Sequence, residues 1–91
     1  MRKVRMNVQG RVQGVGFRYM TKMKADELGI YGTVKNEDDG SVSIKALGSD
    51  EAMRAFIKQV KESPSPAGRV TYVDIQDDPL IEDYTGFKVT N

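Results

Sequence analysis

The 91-residue chain has no cysteine and no histidine. The first absence excludes disulfides, thiolate nucleophiles and thiolate metal sites. The second removes the usual general base and the commonest metal ligand, leaving carboxylates, Lys, Tyr and Arg as the titratable groups. An excess of charge of either sign is missing as well. With 14 basic and 13 acidic side chains, the formal net charge is +1, which is no electrostatic footprint for nucleic acid. Any anion must therefore be recognised locally. No long apolar run occurs, and the basic start Met1-Arg2-Lys3-Val4-Arg5-Met6-Asn7 leads into alternating residues instead of an apolar signal segment. A cytoplasmic protein without membrane contact is expected. The length suits one domain, residues 1–91, with a single core.

What is present is concentrated in Gly10-Arg11-Val12-Gln13-Gly14-Val15-Gly16-Phe17-Arg18, where a strand pattern breaks into a glycine-spaced loop and a helix pattern begins. Closely spaced glycines permit left-handed backbone and let successive N–H groups turn toward one point. A helix starting near Phe17 adds unpaired N–H groups and the positive end of its dipole, so the natural occupant is a phosphate. Arg18, in the first helical turn, sets a guanidinium fork beside these donors. Taken alone, the same residues more readily describe a tight turn between strand and helix with a solvated arginine.

The rest of the chain gives that loop a setting. Val4, Met6 and Val8 alternate with Arg5, Asn7 and Gln9, the period of a strand with one buried face. Phe17, Met20, Thr21, Ala25 and Leu28 follow helical spacing, interrupted by Lys24, and Gly29 is placed to end the helix. Ile30, Gly32 and Val34 alternate with Tyr31, Thr33 and Lys35. The polar cluster Glu37-Asp38-Asp39-Gly40 then turns the chain into Val42, Ile44 and Ala46, a hairpin signal. Ser49 caps a second helix with Asp50 and Glu51 in its first turn and Met53, Phe56, Ile57 and Val60 on one face. After the loop Ser63-Pro64-Ser65-Pro66-Ala67-Gly68, the residues Val70, Tyr72, Val73 and Ile75 predict a strand with a bulge, because the apolar alternation changes phase. Gly86-Phe87-Lys88-Val89 is a last short strand.

The order βαββαβ predicts an α+β ferredoxin-like sandwich, two helices on one face of an antiparallel sheet. In the usual strand order 4-1-3-2, the first two strands run the same way with the third between them. Asn36, at the end of the second, then lies roughly 10 Å of backbone from the glycine loop at the end of the first. It shares the parity of Val34, so its amide leans toward the helices.

The nine loop residues resemble the signature of the acylphosphatase family, and Gly32-Thr33-Val34-Lys35-Asn36 followed by Asp39-Gly40 resembles a second family segment. The likeness continues through Leu28-Gly29-Ile30, Ala67-x-x-Val70-x-x-Val73 and Phe87-x-Val89. It implies the ferredoxin-like fold and hydrolysis of the carboxyl–phosphate bond of a small acyl phosphate by a metal-independent monomer without cofactor. By motif position, Arg18 would bind the phosphate and Asn36 would orient the attacking water. The backbone of Val12, Gln13, Gly14, Val15, Gly16, Phe17 and Arg18 would hold the phosphoryl oxygens. The residue types suit that reaction, since the leaving carboxylate has a conjugate acid of pKa about 4 and departs without a general acid. Gln9, Thr33 and the ending Thr90-Asn91 depart from frequent family residues.

Two other functions share the layout. RNA-binding domains of the same βαββαβ order display stacking aromatics on their central strands, and Val4–Val8 and Ser41–Lys45 contain none. A cradle that binds phosphate without turnover is the second. Glu37, Asp38 and Asp39 form an acidic turn that lacks the long ligand loop calcium requires.

Overall fold

The computed structural model describes residues 1–90, so Asn91, part of the terminal departure from the family pattern, lies outside the described residues. The elements are β1 (Arg2–Arg11), α1 (Phe17–Leu28), β2 (Tyr31–Asn36), β3 (Val42–Gly48), α2 (Asp50–Glu62), β4 (Arg69–Asp77) and β5 (Phe87–Val89). Strand order in the sheet is β4-β1-β3-β2-β5. β1 reaches through Arg11, two residues into the stretch expected to be loop.

The predicted antiparallel sheet needs one correction. β5 pairs parallel with β2, Gly32 opposite Phe87 and Val34 opposite Val89, so the five-stranded sheet is mixed. The reason is directional: β4 runs antiparallel to β1, the chain reverses after it, and it arrives beside β2 pointing the same way. The crossing loop is anchored where the Lys3 ammonium meets the Ile81 carbonyl at 2.6 Å and the Asp83 carboxylate at 2.9 Å.

The alternating residues of β1 divide as their period predicts. Val4, Met6 and Val8 are buried, and they join Val34, Val42 and Ile44 from β2 and β3 under Phe17 and Ala25 of α1 and Met53, Phe56 and Val60 of α2. Each fully buried aliphatic or aromatic side chain contributes roughly 1.5–3 kcal/mol by leaving water. Phe56 and Phe87 meet edge to face, ring centres 5.9 Å apart, which ties the short β5 to α2. The predicted bulge lies on β4: Gln9 faces Tyr72 but Gly10 faces Val70, so Thr71 is the extra residue. Val70 and Val73 both reach the core as a result, while Tyr72 stays exposed.

Candidate active site

The C-terminal ends of β1 and β2 open on one edge of the sheet with β3 between them, and α1 begins there. Gly14 and Gly16 have φ of 74° and 75°, in the left-handed region. A side chain at either would be strained although nothing occupies the space around it. Val12 and Phe17 are buried and Val15 packs against the core, so apolar anchors hold the shape between the flexible residues.

Gly16 stands at the N-cap position of α1 with no side chain bonded to the helix end and no acidic residue in the first turn. Helix geometry leaves the N–H groups of Gly16, Phe17, Arg18 and Tyr19 without intrahelical partners. These donors and the dipole are at the loop end of the helix, an arrangement suited to an anion. Gly10, at φ 130°, admits the close approach of β4, since a Cβ there would stand 2.2 Å from the Arg69 carbonyl oxygen.

Arg18 is held by its far side. One terminal nitrogen donates to the Thr90 carbonyl at 2.6 Å, just past β5, and the other guanidinium donors have no partner among the described residues. β5 thus aims the arginine as well as closing the sheet edge.

Asn36 ends β2 opposite Val42. Its side-chain oxygen is buried and has no hydrogen-bond partner among the described residues. An unmet buried acceptor costs about 1–3 kcal/mol, and such groups concentrate where a ligand completes them. Thr21 Oγ, one turn into α1, is the other buried side-chain atom in this condition. The predicted hairpin turn follows Asn36, with Glu37 N–H donating to the Ser41 carbonyl at 2.8 Å and Gly40 at φ 91°. Asp39 Oδ1 accepts from the Ser41 N–H at 2.9 Å and its hydroxyl at 2.6 Å, and these bonds hold the Asp39 carboxyl below its ordinary value. The acidic turn is therefore a hydrogen-bonded corner, and no cluster of Asp and Glu suited to a metal occurs among the described residues.

The loop is supported by two side chains that sequence patterns did not single out. The Ser65 hydroxyl, buried in the segment before β4, donates to the Val15 carbonyl at 2.5 Å. A trans peptide points its C=O and N–H in opposite directions, so drawing that carbonyl to Ser65 turns the Gly16 N–H the other way. Gln13 Nε2 donates to the Glu37 and Ser41 carbonyls, each at 2.8 Å. Neither contact has a local signal, because the partners lie far apart in the chain.

A separate concavity on the uncovered sheet face is lined by Arg5, Lys35, Lys45, Asp74, Gln76 and Tyr84 among others. Burial, with the Glu82 carboxylate beside it, pushes the Tyr84 phenol above its ordinary value and keeps it neutral. The charges there are mixed in sign and do not converge as the loop donors do. β1 and β3 present Arg5, Asn7, Ser43 and Lys45 on that face, with no stacking aromatic.

Comparison with known proteins identifies the family of the chain. A family model described as Acylphosphatase matches residues 4–89. The chain is 71% identical over 89 residues to a protein named Acylphosphatase from Enterococcus faecalis, covering 98% of both chains. It is 54% identical over 89 residues to a protein of the same name from Lactobacillus johnsonii, again covering 98% of both. Among solved structures, the crystal structure of acylphosphatase from Bacillus subtilis superposes with a TM-score of 0.94 at 41% identity, covering 100% of both chains.

Proposed function

Because this chain belongs to the acylphosphatase family, we propose that its glycine loop and Arg18 hold the phosphoryl group of an acyl phosphate while Asn36 orients the attacking water. The enzyme hydrolyses the carboxyl–phosphate bond, giving a carboxylate and inorganic phosphate. Residues 1–91 act as one catalytic unit, a monomer in the cytoplasm, on a small-molecule substrate. Among the described residues no helix is long and apolar enough to cross a membrane.

In this mechanism the loop and helix N–H groups from Val12 to Arg18 donate to the phosphoryl oxygens, and the remaining guanidinium donors of Arg18 add charge-assisted bonds. Water attacks phosphorus opposite the acyl oxygen. The P–O bond to the acyl group breaks, its electron pair leaves with the carboxylate, and the proton of the water passes to a phosphate oxygen. No side chain has to act as an acid or base, which fits a chain without histidine. Catalysis is then positioning and electrostatic stabilisation of the transferring group.

The observation that carries the assignment is the unpartnered, buried side-chain oxygen of Asn36 at the same sheet edge as the uncapped start of α1. A water hydrogen-bonded to that acceptor is held with its lone pair available for phosphorus. The test is phosphate release from benzoyl phosphate against buffer, in the wild type and in Asn36→Ala. The variant is expected to lose about a hundredfold in kcat while inorganic phosphate still inhibits it competitively with a nearly unchanged Ki. Wild-type turnover in Asn36→Ala would remove the residue from the mechanism.

A further inference from the structure

Strand ladders fix β1 to β3 and β3 to β2, but β1 and β2 are not hydrogen-bonded to each other. Their pairing with β3 ends at Val8 opposite Val42 and Asn36 opposite Val42. Asn36 stands in that last rung, opposite the same Val42 as Val8, while the loop continues past it with no ladder joining the loop itself to β2. In-line attack demands that the distance between the loop and Asn36 be held to a fraction of an ångström.

Gln13 is the bridge. From the middle of the loop its side-chain Nε2 donates 2.8 Å to the Glu37 carbonyl and 2.8 Å to the Ser41 carbonyl. Glu37 is the residue after Asn36, and Ser41 is its hairpin partner through the 2.8 Å bond from Glu37 N–H. Both protons of one amide group are thereby spent on the two sides of one turn, so the contact fixes direction as well as distance. The donor type matters. A neutral amide reaches two carbonyls without bringing a charge that competes for the phosphate, as Lys or Arg would.

We infer that Gln13 is a positioning residue, which sets the spacing between the phosphate cradle and Asn36 through the β2–β3 turn. The inference rests on the assignment of Asn36 to the attacking water. Its consequence is a division of effects: the cradle still binds phosphate without the bridge, but the water no longer lies in line with the substrate.

The test compares wild type, Gln13→Met, Gln13→Glu and Asn36→Ala for kcat on benzoyl phosphate and Ki for inorganic phosphate. Methionine keeps the length and removes both donors, and is expected to lower kcat about tenfold with Ki within about twofold of wild type. Glutamate sets an anion against two carbonyls at neutral pH and regains an O–H donor when protonated. Its kcat, divided by that of wild type at the same pH, should rise as pH is lowered from about 7 to about 4.5, toward the carboxyl pKa. This profile decides the matter if the methionine variant does not fold. Wild-type kcat in Gln13→Met, a loss of kcat matched by an equal rise in Ki, or a flat ratio for Gln13→Glu overturns the inference. Should Asn36→Ala itself keep wild-type turnover, the underlying assignment falls and this one with it. Should Asn36→Ala lose turnover while Gln13→Met does not, only the role of Gln13 falls.

Discussion

The two helices of this protein are built to opposite plans at their N-termini. α2 closes itself: the Ser49 hydroxyl accepts the Ala52 N–H at 3.1 Å, and Asp50 and Glu51 place negative charge in the first turn. α1 is left open, with Gly16 at the cap, no side chain bonded to its end and no acid in its first turn. Both helices have similar length, 12 and 13 residues, and both bury one face on the same sheet. Under the proposed function the difference separates stability from function. The donor that Ser49 caps in α2 has no side-chain partner in α1, which forgoes about 1 kcal/mol of capping; in the proposed mechanism the open end is left to the substrate.

That contrast breaks first at Arg18. Arg18→Ala should lower kcat/KM by about three orders of magnitude and weaken inhibition by phosphate, since a charge-assisted contact to the anion is lost from both ground and transition states. Steady-state kinetics with phosphate as inhibitor reads both; an unchanged Ki would mean that the open helix end binds its anion unaided. At the other helix, Ser49→Ala should cost about 1 kcal/mol, a fall in Tm of roughly 4–8 °C for a domain of this size, with kcat unchanged. A loss of activity equal to that of Arg18→Ala would erase the distinction between the two ends.

Smaller changes sharpen the comparison. Tyr19 is exposed in the first turn of α1, and Tyr19→Glu gives that turn the acidic character of α2. Its charge competes with the anion for the same dipole, so phosphate Ki should rise by roughly two- to fivefold, corresponding to about 0.3–1 kcal/mol. High salt should shrink the effect. Smallest is the hairpin corner. The bonds from Ser41 lower the Asp39 pKa, so the folded state favours the carboxylate. The resulting stability is fully present above the ordinary aspartate value and is lost as pH falls through the lowered folded value. Asp39→Asn should therefore be slightly less stable than wild type at neutral pH and converge with it in acid, read as Tm against pH.

Much of this was visible along the chain, and the exceptions have a common cause. Phe17, Thr21 and Ala25, and likewise Met53, Phe56 and Val60, are buried where helical spacing placed them. The phase change at Val70-Thr71-Tyr72-Val73 marked the bulge on β4. The direction of β5 was missed because three residues, Phe87–Val89, contain no information about which edge they join. The bridging role of Gln13 and the hold of Ser65 on Val15 were missed for the same reason: their partners are 24, 28 and 50 positions away.

The amino-acid order alone determined the periods of strand and helix, the left-handed turns at Gly14 and Gly16, the uncapped start of α1 and the family to which the motifs belong. These depend on sterics and hydrogen bonding within a few neighbouring residues. Only the tertiary structure decided that Asn36 ends β2 with a buried, unmet oxygen, that Arg18 donates to the Thr90 carbonyl, and that Gln13 spans from the loop after β1 to the turn after β2. Each of those depends on β3 lying between two strands it separates in space, a pairing set by burial of the whole core.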